Sequence, residues 1–285
     1  KMKKNIEQEK AIAQLEGPVI LISCPGSGKT TTLLRRINHM LEVGIPPEKI
    51  LMITFTKAAA QEMSVKFKKK FGEPNGITFS TIHALCLKIL MTYGGLSAEN
   101  IIKTSDQWKF LLETARKCQS VCDPAKAAGN FQMLYSAAMN NRMSPSEVNP
   151  KDIKGISRKD FLFMSEEYRR MKERTGYIDF DDMLVKAYEL MTGNLQVLRQ
   201  LRERWDYIQV DEYQDVNYLQ RDLVYLLAGE KKNLCVAGDD DQSIYRFRGA
   251  RPEIMLNFPK DFPQAHVFCI STNYRSYPGF RPLSG

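Results

Sequence analysis

The run VILISC at residues 19–24, followed by PGSGKT at 25–30 and then by the helix-patterned TTLLRRINHMLEV, constrains this chain more than any other stretch. An unbroken apolar run rich in β-branched residues is the pattern of a strand buried on both faces. Such a strand belongs to a mainly parallel sheet with helices packed on either side. Glycines between strand and helix permit backbone torsions closed to other residues, so successive N–H groups can converge on one point. The helix N-terminus that follows adds a partial positive charge. A phosphate group satisfies all of these at once. Pro25, Gly26, Ser27 and Gly28 would form the cradle, Lys29 would reach the β and γ phosphates, and the Thr30 hydroxyl would meet Mg²⁺. The stricter form of this pattern places glycine where Ser23 stands, and a small residue there is a tolerable departure.

Further apolar runs, ILMITFT (50–56), ITFST (77–81), YIQVD (207–211), LCVAGD (234–239) and HVFCIST (266–272), repeat the strand signal. Helical patterns such as AAAQEMSVKFKKKF lie between the first three, so the expected class is α/β with a mainly parallel sheet flanked by helices. From about residue 94 to 200 the strand signals stop and helical patterns follow one another: QWKFLLETARKCQ, FQMLYSAAMNNRM, DFLFMSEEYRRMKERTG and FDDMLVKAYELMTG. The simplest arrangement is an α/β unit over residues 1–93 and 201–285, interrupted by an all-helical insertion at 94–200. The breakers Gly94-Gly95 and Gly193-Asn194 mark its borders.

Lys plus Arg outnumber Asp plus Glu by 41 to 33, giving a formal charge of +8. That balance suits a polyanionic partner or simply a solvated basic surface, and the latter also describes Lys66 to Lys70. No stretch reaches the roughly 18–20 apolar residues of a membrane span, and the lysine-rich start runs into charge rather than an apolar segment. A cytoplasmic protein without a membrane partner is expected. The six cysteines are dispersed without a C-x-x-C pair, so reduced thiols are expected rather than disulfides or zinc ligands.

A phosphate loop needs a carboxylate on a nearby strand to hold the metal, and often another to orient water. Asp211 at the end of the YIQVD run suits Mg²⁺, and Glu212 suits the water that attacks the γ phosphate. By themselves the two could equally be acidic residues opening a surface loop.

The strings DEYQDVNYLQ, GDDDQSIYRFRGA and STNYRS, following GSGKT in that order, closely resemble the superfamily 1 DNA helicases of the UvrD, Rep and PcrA group. The resemblance covers nearly the whole chain. IEQEKAI looks like the family's Q motif, ITFTKAAAQEM like motif Ia, FSTIHALC like motif Ib, and IDFDDML like the acidic motif before the DExQD box. It implies ATP bound at a RecA-like lobe and single-stranded DNA, or a single/double-strand junction, running across the top with 3′ to 5′ translocation.

Carried over position by position, the resemblance gives Gln8 the adenine edge, Lys29, Thr30 and Asp211 the phosphates and Mg²⁺, and Glu212 the hydrolytic water. Gln242 would sense the γ phosphate, Tyr274 would pack on the base, and Arg275 would place charge on the γ phosphate in the transition state. Thr31 stands where some relatives carry an Arg beside the base, and Ser64, with Lys66 nearby, where many carry a basic residue. On the DNA side the matching positions are Phe55, His83, Tyr245, Phe247 and Arg248. Rings interleaved with Arg suit single strands, because any base stacks and the guanidinium neutralises phosphate. Without the family, Phe55 and His83 read rather as core residues.

The reading is therefore the N-terminal portion of an ATP-dependent DNA helicase, a DNA-stimulated ATPase of repair, replication or recombination. A monomer is favoured, and a second RecA-like lobe is expected beyond Gly285. Two rivals stay open: a nucleotide- and DNA-binding module with little turnover as isolated, and a P-loop ATPase uncoupled from DNA.

Overall fold

The computed structural model describes residues 6–24, 26–149, 151–153, 155–239 and 252–270. Six strands form one sheet: β1 Val19–Ser23, β2 Ile50–Thr54, β3 Thr78–Thr81, β4 Tyr207–Val210, β5 Leu234–Asp239 and β6 His266–Ile270. Their order is β3-β2-β4-β5-β1-β6, and every neighbouring pair is parallel. The expected parallel α/β class is borne out. β5 and β4 return after a long helical excursion and insert between β1 and β2, while β6 lies beyond β1, so the connections leaving the neighbouring strands β1 and β5 run in opposite directions across the sheet. In open α/β sheets the crevice at such a reversal, beyond the carboxyl ends of the strands, is where ligands bind.

Alternation along the strands sends side chains to two faces. Val19 and Leu21 of β1, with Ile50 and Met52 of β2, meet α1 (Ile6–Ala13), α2 (Lys29–Glu42) and α3 (Lys57–Phe71). Leu33 and Ile37 of α2 are fully buried in this core, each contributing roughly 2 kcal/mol. That anchorage fixes the helix whose first residue is Lys29. On the opposite face Ile20, Ile22, Leu51 and Ile53 pack against α4 (Ile82–Tyr93), α8 (Phe180–Gly193), α9 (Leu195–Arg204), α10 (Tyr218–Ala228) and α11 (Pro252–Asp261).

The remaining helices, α5 (Thr104–Arg116), α6 (Pro124–Asn140) and α7 (Arg158–Thr175), enclose a separate core around Phe131, Phe161 and Tyr168. The excursion is closed by a single bridge between Ile101 and Ile178, with Ile102 N donating to Ile178 O at 2.9 Å and Ile178 N to Asn100 O at 2.8 Å. α8 thus lies between the two cores. Its start is capped by Asp179, which accepts from Asp182 N, while Lys172 of α7 is buried against Asp179 at 3.1 Å and Asp182 at 2.8 Å. No helix among the described residues is long and apolar enough to cross a membrane.

Candidate functional site

β1 ends at Ser23, paired with Asp239 of β5. Being the last residue of a strand, Ser23 needs no glycine torsions, and its hydroxyl donates to Gly238 O at 3.2 Å. The chain then turns, with Ser27 N donating to Cys24 O at 3.1 Å. Gly26 and Gly28 take φ of 75° and 89°, the left-handed region that L side chains resist. Among the described residues, a Cβ on Gly26 would meet nothing within 4 Å, and the buried Ser27 hydroxyl has no hydrogen-bond partner. α2 starts directly after Gly28 without a side-chain cap. Its first N–H groups keep the donor capacity that an anion can use. An unpartnered hydroxyl beside an open glycine turn and an uncapped helix is a fit for phosphate.

The carboxylates arrive from β4. Asp211 N donates to Ile53 O at 2.9 Å, extending the ladder by one residue past Val210. Lys29 Nζ stands 3.4 Å from Asp211 Oδ1 and is paired with Glu212. Burial works against the Lys29 charge, yet Asp211 and Glu212 outweigh it and hold the ammonium above its ordinary pKa. For Asp211 burial is the larger influence and raises its pKa, Lys29 pulling it down and Glu212 pushing it up. Glu212 sits at φ 53°, a strained position for a non-glycine residue and of a kind that clusters at functional sites. It is held there from two sides. Its N–H donates to Asp211 Oδ1 at 2.9 Å, and Gln214 Nε2 donates to its Oε2 at 2.8 Å. Gln214 Oε1 in turn accepts from Asp239 N at 3.0 Å, tying the loop to the end of β5.

Gln8 reaches the same loop from α1, its Nε2 donating to Ser27 O at 2.9 Å. A Cβ on Gly28 would lie 3.2 Å from that nitrogen. Thr30 and Thr31 line a recess of about 400 Å³ with Leu34, Lys66, Lys69 and Lys70. Lys66 itself is paired with Glu62 at 2.5 Å.

Phe55 and His83 also come together, at the mouths of β2 and β3. Both are partly exposed rather than core residues. They line a cleft of about 490 Å³ between the sheet edge and the helical unit, shared with Phe180, Asp181 and Asp215. Phe180 is 60% exposed and meets the His83 ring edge-on, centroids 6.1 Å apart. Burial lowers the His83 pKa, favouring the neutral imidazole. Asp215 closes the segment that Asp211 and Glu212 begin. It lines the cleft, and its pKa is raised to about 6 by burial and by Glu212, with Lys29 opposing. One of its carboxylate oxygens is buried without a hydrogen-bond partner among the described residues.

Phe180, Gln214 and Asp215 were not singled out from the sequence, although IDFDDML and DEYQD contain them. The signal was present in those motifs; what the residues touch was not. Pro25, Gln242, Tyr245, Phe247, Arg248, Tyr274 and Arg275 lie outside the described residues.

A parallel sheet whose first strand runs into a glycine turn and Lys29, faced by a carboxylate pair from a strand two places away, defines a P-loop nucleotide-binding protein of RecA-like α/β architecture. Within that class the chain belongs to the UvrD/REP helicase N-terminal domain family, whose model matches residues 4–263. It is 36% identical over 281 residues to "Putative ATP-dependent DNA helicase YjcD" of Bacillus subtilis, covering 95% of this chain and 36% of that protein. To the ATP-dependent DNA helicase PcrA of Staphylococcus aureus it is 35% identical over 278 residues, covering 95% of this chain and 38% of that protein. The PcrA of Staphylococcus epidermidis is 34% identical over 278 residues, with the same coverage of 95% and 38%. The chain thus spans little more than a third of the length of these curated relatives.

Proposed function

We propose that this chain is the ATP-binding part of a DNA helicase that couples ATP hydrolysis to movement along single-stranded DNA, from 3′ to 5′, in the cytoplasm. The observation that carries the reading is the segment Asp211 to Asp215: within it Glu212 pairs with Lys29, and Asp215 lines the cleft of Phe55, His83 and Phe180. Nucleotide chemistry and strand binding would then share one short segment, Asp211 to Asp215.

In this reading Lys29 exchanges its carboxylate partners for the β and γ phosphates, and the N–H groups of Gly28 and the first turn of α2 bind phosphate oxygens. Thr30 and Asp211 offer the hard oxygen donors that Mg²⁺ prefers, and the ion would neutralise charge on the phosphates. Glu212, freed from Lys29, takes the proton of the attacking water, with Gln214 holding the carboxylate in place. Gln8 reads the base edge. Gln242, Tyr245, Phe247, Arg248, Tyr274 and Arg275 keep the roles that the resemblance gives them. The exposed ring of Phe180 extends the strand-binding surface of Phe55 and His83, since stacking is indifferent to base identity.

The test is ATP hydrolysis by the full-length protein with and without a single-stranded oligonucleotide, Lys29→Ala serving as the blank. Strong stimulation that disappears in Lys29→Ala is the expected result. Turnover indifferent to DNA would leave an ATPase uncoupled from any strand.

A further inference from the structure

α1 has eight residues, and only Ala11 and Ile12 among them are buried. So short a helix is marginal by itself, and it rests on α2 and β6 with only these two side chains buried. Yet it carries Gln8, whose amide must be placed to within a fraction of an ångström if a hydrogen bond is to discriminate between bases.

A polar restraint is added by two consecutive arginines of α2. Arg36 is 1% exposed. Its Nη1 donates to Ala11 O at 2.5 Å and also to Gln14 O, and its Nη2 donates to Leu15 O at 3.2 Å. These carbonyls belong to the last turn of α1 and the residues just after it, where a helix leaves acceptors unsatisfied and where positive charge is favourable. Arg35 grips the same helix further back. Its Nη1 and Nη2 donate to the two carboxylate oxygens of Glu9 at 2.8 and 3.0 Å, the two-pronged geometry that fixes orientation as well as distance. Glu9 is the immediate neighbour of Gln8, which donates to Ser27 O in the phosphate loop.

We propose that Arg35 and Arg36 are positioning residues for base recognition, gripping α1 so that Gln8 meets the nucleotide in register with the phosphate loop. This rests on the reading of Gln8 as the base-edge contact. The logic is that of a single ruler: α2 begins with Lys29 and Thr30, and Arg35, six residues on, stands roughly 9 Å further along the same rigid axis. The phosphate end and the base end of the site are therefore set by one helix. An amide presents one donor group and one acceptor, the pair that matches the 6-amino group and N7 of adenine and mismatches O6 and N7 of guanine, which are both acceptors. A helix free to rotate would lose that selectivity while leaving the phosphate contacts intact.

The experiment measures affinities of the full chain for fluorescent ATP and GTP analogues and for inorganic tripolyphosphate, which has no base. The variants are Arg35→Ala, Glu9→Ala, the charge exchange Glu9→Arg with Arg35→Glu, Arg36→Lys and Gln8→Ala. Arg35→Ala and Glu9→Ala should each narrow the ATP-over-GTP preference by about threefold to tenfold, the worth of one hydrogen bond. Tripolyphosphate affinity should not move, and the charge exchange should restore the preference. Arg36→Lys should narrow it too and speed hydrogen exchange of the α1 amides. If Gln8→Ala collapses the preference while Arg35→Ala and Glu9→Ala leave it at the parent value, the positioning role is overturned and the reading of Gln8 stands. An unchanged preference in Gln8→Ala overturns the reading of Gln8 and, with it, this proposal.

Discussion

Lys29 and Glu212 lie 183 residues apart in the chain and are paired at the carboxyl edge of the sheet. The Lys29 side chain is 13% exposed and that of Glu212 41%, so the pair is closed on the lysine side and open to solvent on the other. The charge that would bind phosphate is thus already engaged by the carboxylate that would activate water. Each partner masks the other's chemistry until one is displaced.

Glu212→Gln should therefore separate binding from turnover. Removing the negative charge relieves the competition for Lys29, so ATP affinity should rise several-fold, while hydrolysis should fall by about 10²–10⁴ for want of a general base. Fluorescent-nucleotide titration and steady-state turnover on the same preparation check both halves. A variant that binds no better but still fails to hydrolyse would mean that the Lys29 pairing does not compete with phosphate.

Gly28 and Gly17 form a controlled pair. Both hold a left-handed φ, 89° and 78°, but a Cβ on Gly28 would meet Gln8 Nε2 at 3.2 Å, whereas one on Gly17 would meet nothing within 4 Å among the described residues. Alanine at either position should cost about 1–2 kcal/mol of stability through the backbone. Only Gly28→Ala should also weaken nucleotide binding. Thermal melts beside ATP titrations separate the two effects.

Phe180→Ala tests the strand cleft with little structural damage, because the ring is largely exposed. Affinity for a labelled oligothymidine should drop by about 1–3 kcal/mol, with the melting temperature nearly constant. The slope of log affinity against log salt should stay at the parent value, since no phosphate contact is removed. Fluorescence anisotropy across a salt series reads all of this.

Asp181 makes a pH prediction. It accepts from Ser136 Oγ and Asn140 Nδ2, both at 2.9 Å, and its pKa is raised to about 6 by burial and then by Asp179. Between the ordinary carboxylate value and about 6 the folded chain holds this proton more tightly than the unfolded one, so stability falls as pH rises through that window. The deficit is complete above it. Asp181→Asn should stabilise the chain by about 1–2 kcal/mol at pH 7.5 and hardly at all at pH 4. Denaturant midpoints at the two values decide it.

Much of the fold was legible because buried strands and amphipathic helices leave periodic patterns. VILIS and ILMIT became β1 and β2, and all four helical patterns of the middle third became helices. The patterns did not say what each apolar face would meet. α8 and α9 follow α7 without a change of character, yet Leu184, Met191, Leu198 and Leu201 are buried in the core under the sheet, while Phe161 and Met164 of α7 belong to the separate core. Arg36 is a sharper case. An arginine in a basic helix reads as surface, and it is almost fully buried because the carbonyls at the end of α1 supply its partners.

The sequence by itself determined the parallel α/β class, the glycine turn and helix start at Gly26 to Thr30 and the acidic pair Asp211-Glu212 at the end of β4, because each is written in local runs of residues. Only the tertiary structure decided that Glu212 pairs with Lys29, that Gln214 holds Glu212 to the end of β5, that Asp215 lines the cleft of Phe55 and His83 and that Phe180 meets His83. Those relationships join segments separated by tens to hundreds of residues. Burial and charge pairing between such segments are set by how the helices pack on the sheet, and no local pattern encodes that.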